Sequence, residues 1–374
     1  MSLNQSLISP TANPSLDQAL RAKLKRRADA AGNLGELEPL AIRLGLIQST
    51  LKPRFRSPQI VFFAGDHGLA VDGVGTPGQP TTLNVTRRLL TSQLPVSVFS
   101  FIQGLELSVV DCGVADAVPP HARLLSRKIA HGTRNARIGP AMTLEQAHAA
   151  IRAGMEIADS LPGNVVACAG IGVGADESAA LVIARLAGAA VRDLTLASTY
   201  ENPEALARAL VSMQAALARH RDAQDPVETL AALGGFEMAA MVGLMLVAGS
   251  KRHLIIVDGM AACAALLVAS RIAPAVTDYC VFCRSHGHKG LDVALSLFHA
   301  SALLELGMQS TDGTGAALAW PLIRSAAALL TEVAEGEDPG PSRPADASDL
   351  APEPLSGRAP PMPPLPTPTV SGDL

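Results

Sequence analysis

Residues 60–68 have the sequence IVFFAGDHG. The unbroken apolar run Ile60–Ala64 is typical of a β-strand that is buried on both faces, as the strands of a parallel sheet are. Glycine and polar residues follow it directly, at the carboxyl end of the strand, where parallel sheets bind their ligands. The stretch therefore predicts a parallel sheet with Asp66 and His67 at its binding edge.

The same arrangement of an apolar run before a glycine or polar residue recurs along the chain. The further candidate strands are Leu107–Asp111, Asn164–Ala169, Leu254–Asp258 and Val276–Phe282. Helical patterns lie between or after the strands, at about 82–103, 143–160, 176–187, 203–221, 226–248 and 261–270. This alternation predicts an α/β fold, with a doubly wound, mainly parallel sheet flanked by helices.

The two chain ends depart from this pattern. Residues 1–15 are predicted to be a flexible arm, followed by a polar, basic helix at about 16–31. Residues 336–374 are dominated by Pro, Gly, Ser, Ala and Asp, and such a segment cannot bury enough apolar surface to fold. We therefore predict a disordered Pro-rich tail, which either stays solvated or docks in an aromatic groove of a partner.

Composition restricts the possible partners. The chain has 374 residues, of which 48% are apolar but only 3% aromatic, so its core is built from Ala, Val, Leu and Ile. A net charge of −4, without a basic cluster beyond residues 21–27, argues against nucleic acid and favours a small soluble substrate. No membrane span and no signal peptide are expected. Five cysteines, an odd number, favour a reducing cytoplasm.

The stretch 303–318, LLELGMQSTDGTGAAL, contains the first candidate for catalysis. Asp312 precedes Gly313, Thr314 and Gly315, which lead into an alanine-rich helical segment. A helix start leaves backbone N–H groups unpaired, and a carboxylate beside it can accept a proton from a docked molecule. Asp312 is therefore a candidate general base, although the loop alone favours a helix-capping role.

The glycine-rich stretch Gly170–Gly174, GIGVG, follows a strand and precedes a helix that begins with Asp176, Glu177 and Ser178. Its backbone could hold a phosphate group. However, glycines also permit a tight turn, and two carboxylates in the first helical turn would repel an anion.

Two further groups have open interpretations. Asp66 and His67 could be acid/base or substrate-binding groups, or a hydrogen-bonded pair that braces their loop. Four residues have a spacing that suggests zinc: Cys280, Cys283, His286 and His288. Because two cysteines three positions apart on a strand face opposite sides of the sheet, we predict no metal.

Seven stretches, in order and at suitable separations, resemble the nicotinate-nucleotide–dimethylbenzimidazole phosphoribosyltransferases. They are GNLGELEPLAIRLGLIQ (32–48), FAGDHGLAVDGV (63–74), LSVVDCGV (107–114), GTRNARIGPAMTLEQAHAAIRAGMEIAD (132–159), GGFEMAAMVGLMLVA (234–248), VDGMAACAALLVASRIAP (257–274) and LGMQSTDGTGAALAWPL (306–322). The resemblance covers about residues 20–335.

This resemblance implies one phosphoribosyltransferase-like domain at 16–335. Its small helical subdomain would comprise about 16–55 and 305–335, and its α/β subdomain about 56–304. It also implies a homodimer that needs no cofactor or metal. The reaction implied is transfer of the phosphoribosyl group of nicotinate mononucleotide to a benzimidazole ring nitrogen, with release of nicotinate. Backbone donors and a lysine would hold the substrate phosphate, and a carboxylate would accept the proton of the attacking base.

Several positions differ from the family pattern. The family's general-base glutamate falls on Asp312, one methylene shorter, and the glutamate of its glycine-rich motif falls on Cys168. The phosphate-binding lysine falls on Ala209, and the two side chains expected to touch the base fall near Pro77 and Val85. Lys289 or Arg185 could supply the missing positive charge.

By this resemblance Asp312 is the catalytic residue. The implied substrate-binding set is Asp66, His67, Gly170, Gly172, Gly174, Ser178, Asp258, Gly259, Ser285, Gly313, Thr314 and Gly315. Two functional hypotheses follow. The chain is a working phosphoribosyltransferase that supplies the cobalamin lower ligand, or it is a catalytically impaired paralogue that binds a nucleotide or base in a regulatory role. A cation facing the 170–178 loop would favour the first.

Overall fold

The computed structural model describes residues 8–75, 78–197, 200–284, 289–308 and 310–333, without the side chains at 28–31, 284 and 289. Seven strands in this part of the chain form one sheet, and every neighbouring pair is parallel. They are β1 Gln59–Gly65, β2 Glu106–Gly113, β3 Leu124–Ser126, β4 Val165–Ile171, β5 Leu254–Val257, β6 Cys280–Arg284 and β7 Ala302–Leu304. The predicted parallel α/β fold is confirmed.

Helices flank the sheet. In the described residues they are α1 Pro14–Ala31, α2 Leu37–Ile47, α3 Thr82–Leu90, α4 Pro95–Ile102, α5 Leu144–Ser160, α6 Ala175–Ala187, α7 Val191–Leu194, α8 Pro203–Arg219, α9 Pro226–Leu233, α10 Phe236–Ser250, α11 Met260–Ile272, α12 Lys289–Leu297 and α13 Thr314–Thr331. None of them combines the length and apolar character needed to cross a membrane.

The strand order positions a binding crevice. The sheet runs β3-β2-β1-β4-β5-β6-β7, so the chain builds outward from β1 in one direction and later from β1 in the other. All seven residues of β1 and of β4 are buried, as expected for central strands covered on both faces. Ligands bind beyond the carboxyl ends of strands where the order reverses, which here is the end of β1 and β4.

Two long helices predicted from the sequence are each two helices in the structure. The pattern at 82–103 is interrupted between α3 and α4, where Ser92 has a left-handed φ of 59° and Pro95 begins the second helix. The pattern at 226–248 is interrupted by Gly234 and Gly235, which separate α9 from α10. Apolar periodicity continues across both interruptions, so it does not reveal them.

The strand predicted at Val276–Phe282 was misplaced. Residues Pro274–Tyr279 form a 3₁₀ helix, and β6 begins only at Cys280. Neither β3 nor β7 was predicted, because strands of three residues at the sheet edges are too short to show a pattern.

The N-terminal segment from residue 8 to α1 lies against the body of the protein. Ile8 is fully buried, the Thr11 N–H donates to Asp278 at 2.9 Å, and the Tyr279 hydroxyl donates to the Ser9 carbonyl at 2.7 Å. This part of the predicted flexible arm is therefore anchored. The predicted tail at 336–374 lies outside the described residues.

The first two helices and the last one pack together, with α13 in contact with α1 and α2. The Phe55 and Trp320 rings lie 5.1 Å apart between centroids beside this group. The division into two subdomains stays a prediction.

The closest helix packing joins α5 to α10 through two glycines. A Cβ atom at Gly154 would lie 1.8 Å from the carbonyl oxygen of Ala240, and one at Gly243 would lie 1.9 Å from that of Ile151. The two backbones therefore touch directly.

We expect Gly154→Ala to lower the free energy of unfolding by about 1–3 kcal/mol or more, because the added methyl group forces α5 away from α10. Thermal unfolding followed by circular dichroism measures the change. Gly139→Ala is the control, since a Cβ atom there meets no atom within 4 Å. Equal melting temperatures for the two variants would contradict this account of the packing.

Candidate active site

A cavity of about 210 Å³ lies beyond the carboxyl ends of the central strands. Four segments line it: the start of α3 with the residues before it, the β4–α6 loop, the segment after α7, and residues 310–312. The residues at the start of α3 and the β4–α6 loop follow β1 and β4, the strands at which the sheet order reverses. Residues 310–312 approach the same strand ends. The cavity is therefore at the position predicted for a ligand site in this fold.

The β4–α6 loop forms one wall through Gly170, Gly172 and Gly174. A Cβ atom at Gly172 would lie 1.9 Å from the carbonyl oxygen of Gly65, so this loop needs a glycine to pass β1. Gly174 is the N-cap residue of α6, whose first N–H groups point toward the cavity end of the helix. Tight-turn and phosphate-binding interpretations of this loop are therefore compatible.

Asp312 also lines the cavity, with Ser310 and Thr311. Its carboxylate lies against Gly259, where a Cβ atom would be 1.9 Å from Asp312 Oδ2. Gly259 also has a φ of 98°, which side chains rarely adopt. A glycine at position 259 is thus what allows this placement of the Asp312 carboxylate.

The helix-capping contact expected as an alternative role of Asp312 is made by Asp258. The N–H of Ala316, in the first turn of α13, donates to Asp258 Oδ2 at 3.2 Å. Gly315 lies directly against this carboxylate, since a Cβ atom there would be 2.8 Å from Asp258 Oδ1. The Thr314 hydroxyl donates to the Thr311 carbonyl at 2.6 Å, which fixes the turn that carries Asp312.

Asp66 braces the wall of the cavity. Its carboxylate accepts hydrogen bonds from the Thr82 hydroxyl at 2.5 Å and from the Ala115 N–H at 2.7 Å. The Thr82 oxygen in turn accepts the N–H of Val173 at 3.0 Å. This chain of bonds connects the end of β1, the start of α3 and the glycine-rich loop.

His67 forms a buried ion pair with Glu237 of α10, with 2.9 Å between His67 Nε2 and Glu237 Oε1. The two side chains are 1% and 0% exposed. Burial disfavours the imidazolium, yet the Glu237 carboxylate outweighs it, and the pKa of His67 is raised. The pair lies directly behind Gly174.

Glu177 of α6 also lines the cavity, and only 8% of this residue is exposed. Its Oε1 accepts a hydrogen bond from the Tyr200 hydroxyl at 3.0 Å. Burial, reinforced by the neighbouring Asp176 carboxylate, raises the pKa of Glu177 to about 7. Close to neutral pH this carboxyl group therefore holds a proton for much of the time.

No lysine or arginine is among the described residues that line the cavity. Arg185 points elsewhere, because its guanidinium donates to the carbonyls of Leu217 and Arg221 near the end of α8. The Lys289 side chain lies outside the described part, and so does Ser285. Arg185 is therefore not a cation that faces the 170–178 loop, the feature that would favour a working phosphoribosyltransferase over an impaired paralogue.

The Cys280 and Cys283 thiols are buried, and burial raises the pKa of Cys280 to about 12. His286 and His288 lie outside the described residues. Among the residues that are described, no three His, Cys, Asp or Glu side chains are grouped so that they could hold a metal ion.

The twelve predicted site residues that the structure describes, which exclude Ser285, fall into three groups. Four line the cavity: Gly170, Gly172, Gly174 and Asp312. Seven lie behind or beside its walls: Asp66, His67, Asp258, Gly259, Gly313, Thr314 and Gly315. Ser178 faces away, since its hydroxyl donates to the Leu233 carbonyl at 2.5 Å. Of the positions that differ from the family pattern, Val85 lines the cavity, whereas Cys168 and Ala209 are buried in the core.

Sequence reasoning missed four residues that shape the site. Thr82 and Tyr200 carry no local signal, because their partners are distant in sequence. Glu237 is the one charged residue in the apolar stretch 234–248, and such an isolated charge indicates a buried partner. Glu177 was noticed only as a charge that would repel an anion.

A phosphoribosyltransferase family model matches residues 9–340 of the chain. The fold and the matched family define the protein as a phosphoribosyltransferase. The chain is 42% identical over 328 residues to the nicotinate-nucleotide–dimethylbenzimidazole phosphoribosyltransferase of Cupriavidus taiwanensis, covering 86% of this chain and 95% of the relative. The enzyme of that name from Variovorax paradoxus is 39% identical over 342 residues, with coverages of 91% and 98%. This chain therefore belongs to the nicotinate-nucleotide–dimethylbenzimidazole phosphoribosyltransferase family.

A solved structure supports the same assignment. The nicotinate-nucleotide–dimethylbenzimidazole phosphoribosyltransferase of Thermus thermophilus superposes with a TM-score of 0.80 at 30% sequence identity. The match covers 89% of this chain and 100% of the Thermus chain. The similarity in architecture therefore extends over most of the chain.

Proposed function

We propose that this protein transfers the phosphoribosyl group of nicotinate mononucleotide to 5,6-dimethylbenzimidazole or a related base. The products are nicotinate and α-ribazole phosphate, which is used in cobalamin biosynthesis. The observation that carries the proposal is that Asp312 and a glycine-rich helix start line the same cavity. The relatives named above, which bear the name of this activity, match nearly the whole chain.

In the proposed reaction the nucleotide phosphate lies at the loop 170–174 and the ribose carbon points toward Asp312. A benzimidazole ring nitrogen attacks that carbon and forms the new C–N bond with inversion. The old C–N bond breaks, and its electron pair returns to the pyridinium ring of the departing nicotinate. The proton on the other benzimidazole nitrogen passes to Asp312, so the riboside product leaves neutral at the ring.

Most of the catalysis would then come from holding two substrates in line, with the carboxylate adding general-base assistance. Residues behind the cavity wall act on this geometry indirectly. Asp66 and His67 hold the loop that carries Val173 and Gly174, while Asp258 and Gly259 place the loop that carries Asp312. No step requires a cofactor or a metal ion.

The proposal extends to the setting of the enzyme. We infer a homodimer in the cytoplasm, acting on small molecules rather than on nucleic acid or membranes. The family resemblance supports the dimer. The five cysteines are buried thiols rather than disulfides, which fits a reducing compartment.

Chromatographic detection of nicotinate release tests the proposal. Purified protein is incubated with nicotinate mononucleotide alone, then with dimethylbenzimidazole, and then with other benzimidazoles, purines and phenols. We expect nicotinate release that depends on an acceptor, together with a riboside phosphate of that acceptor. Folded protein that releases no nicotinate with any acceptor would contradict the proposal, and binding of the nucleotide without turnover would then indicate the impaired, regulatory paralogue.

A further inference from the structure

The start of α6 presents an apparent conflict for a phosphate-binding site. Its backbone N–H groups favour an anion, but Asp176 and Glu177 occupy its first turn and both line the cavity. Two negative charges there would cancel the attraction. No lysine or arginine among the described lining residues offsets them.

Glu177 differs from Asp176 in its surroundings. Asp176 is exposed, so water screens its charge, whereas Glu177 is 8% exposed and held by the Tyr200 hydroxyl at 3.0 Å. Ionisation of a buried carboxyl group is unfavourable in free energy when its hydrogen bonds do not replace the hydration that it has lost. Burial of Glu177 therefore favours the protonated, neutral form of its carboxyl group.

The ionisable groups that act on Glu177 come from several elements. Asp176 on the same helix favours the protonated form, whereas a hydrogen bond from the backbone N–H of Glu177, the Tyr200 hydroxyl and the charge of His67 favour the ionised form. Asp312 is a further carboxyl group that lines the same cavity. With burial as the largest influence, the balance brings the pKa of Glu177 to about 7.

We propose that Glu177, in its protonated form, donates a hydrogen bond to the phosphate group of the bound nucleotide. This proposal rests on the proposed function, since it assumes that a nucleotide phosphate docks at the β4–α6 loop. A neutral carboxyl group removes one of the two repelling charges and adds a donor to the backbone N–H groups. The protonated carboxyl group thus supplies the side-chain hydrogen bond that a lysine or arginine donates to the phosphate in other sites.

A linkage between proton and nucleotide follows from this role. When Glu177 is ionised, the nucleotide can bind only if Glu177 first takes up a proton. The affinity for the nucleotide therefore falls by about tenfold per pH unit above the pKa of Glu177, and binding above that pH takes up a proton. The phosphate group of the nucleotide also titrates. The contribution of Glu177 is therefore the difference in the pH dependence of nucleotide affinity between the unmodified protein and a variant in which residue 177 cannot ionise.

Isothermal titration calorimetry with nicotinate mononucleotide between pH 6 and 9 tests the proposal directly. Running each pH in buffers of different ionisation enthalpy gives the number of protons taken up. Glu177→Gln keeps the size, the neutral charge and an N–H donor. Glu204→Gln, an exposed carboxylate at the start of α8, is the matched control.

We expect the affinity of the Glu177→Gln variant to exceed that of the unmodified protein by about tenfold at one pH unit above the pKa, and to match it at pH 6. The excess proton uptake should disappear in this variant and persist in Glu204→Gln. Tyr200→Phe removes a bond that favours the ionised form, so it should move the loss of affinity to higher pH. Nicotinate riboside, which lacks the phosphate, should bind without proton uptake.

Other results would overturn the proposal. Equal pH dependence in Glu177→Gln and the unmodified protein would exclude the proton on Glu177. A large loss of kcat with unchanged nucleotide affinity in Glu177→Gln would instead make Glu177 a second proton acceptor in the reaction. Because binding is measured without turnover, proton-linked binding with no nicotinate release would refute the proposed function and leave this inference standing.

Discussion

Replacing Asp312 by asparagine is expected to lower kcat/KM for phosphoribosyl transfer by about 100- to 10,000-fold, the range in which a general base contributes. Asparagine has the shape of aspartate but cannot accept the benzimidazole proton. Its side chain would occupy the same space against Gly259, so substrate binding should change little. The loss should therefore be in kcat, with KM for the nucleotide nearly unchanged.

Steady-state rates of nicotinate release measure this loss. Glu305→Gln is the matched control, because Glu305 is an exposed carboxylate in the segment that leads to the same loop. Asp312→Glu keeps a carboxylate of the length found in the family and should turn over measurably, unlike the asparagine variant. If Asp312→Asn were as fast as the unmodified protein, another group would have to accept the proton.

The Glu237→Gln variant is expected to lose about 3–5 kcal/mol of stability at pH 6, because it leaves the buried His67 imidazolium without its counter-charge. Both side chains are almost completely enclosed, so water cannot replace the lost partner. The entropy of unfolding scales with chain length, and the corresponding fall in melting temperature is about 4–7 °C.

The effect of Glu237→Gln should depend on pH in a defined direction. The pKa of His67 is raised in the folded protein, so the stability from the pair is fully present below the ordinary imidazole pKa of about 6.5. It is lost as the pH rises through the raised value. The difference in melting temperature should therefore shrink between pH 6 and pH 9.

Differential scanning calorimetry across this pH range measures the effect. Asp17→Asn is the control, since it breaks the exposed pair of Asp17 with Arg21 and should not change the melting temperature measurably. A pH-independent difference for Glu237→Gln would show that packing, rather than charge, accounts for the destabilisation.

The fold could be predicted from the sequence because the central strands carry a strong signal. Ile60–Ala64 and Asn164–Ala169 are almost wholly apolar, since both faces of β1 and β4 are covered by helices. Helix ends were harder, because Pro95 and the Gly234–Gly235 pair interrupt a periodicity that continues on both sides. Secondary structure at the sheet edges depends on pairing with a neighbour, which no short sequence window contains.

The candidate site was predicted less completely for a related reason. The glycines of the 170–174 loop and Asp312 could be identified because their local sequence is distinctive. The contact of Tyr200 with Glu177 and that of Thr82 with Asp66 join segments far apart in sequence. The charge state of Glu177 depends on burial and on these partners, so the sequence alone indicated repulsion, whereas burial in the structure raises the pKa of this carboxyl group.

The strand order has a consequence for folding. One of the two neighbours of β1 is β4, which is separated from it along the chain by β2, β3 and α5, and the Asp312 loop that completes the cavity follows later still. Parallel strands that are far apart in sequence pair slowly, because the entropy of closing the long loop between them is lost before any stabilising contact forms. During refolding the apolar faces of the central strands should therefore stay exposed until β4 pairs with β1, and the cavity should form only when the Asp312 loop joins them.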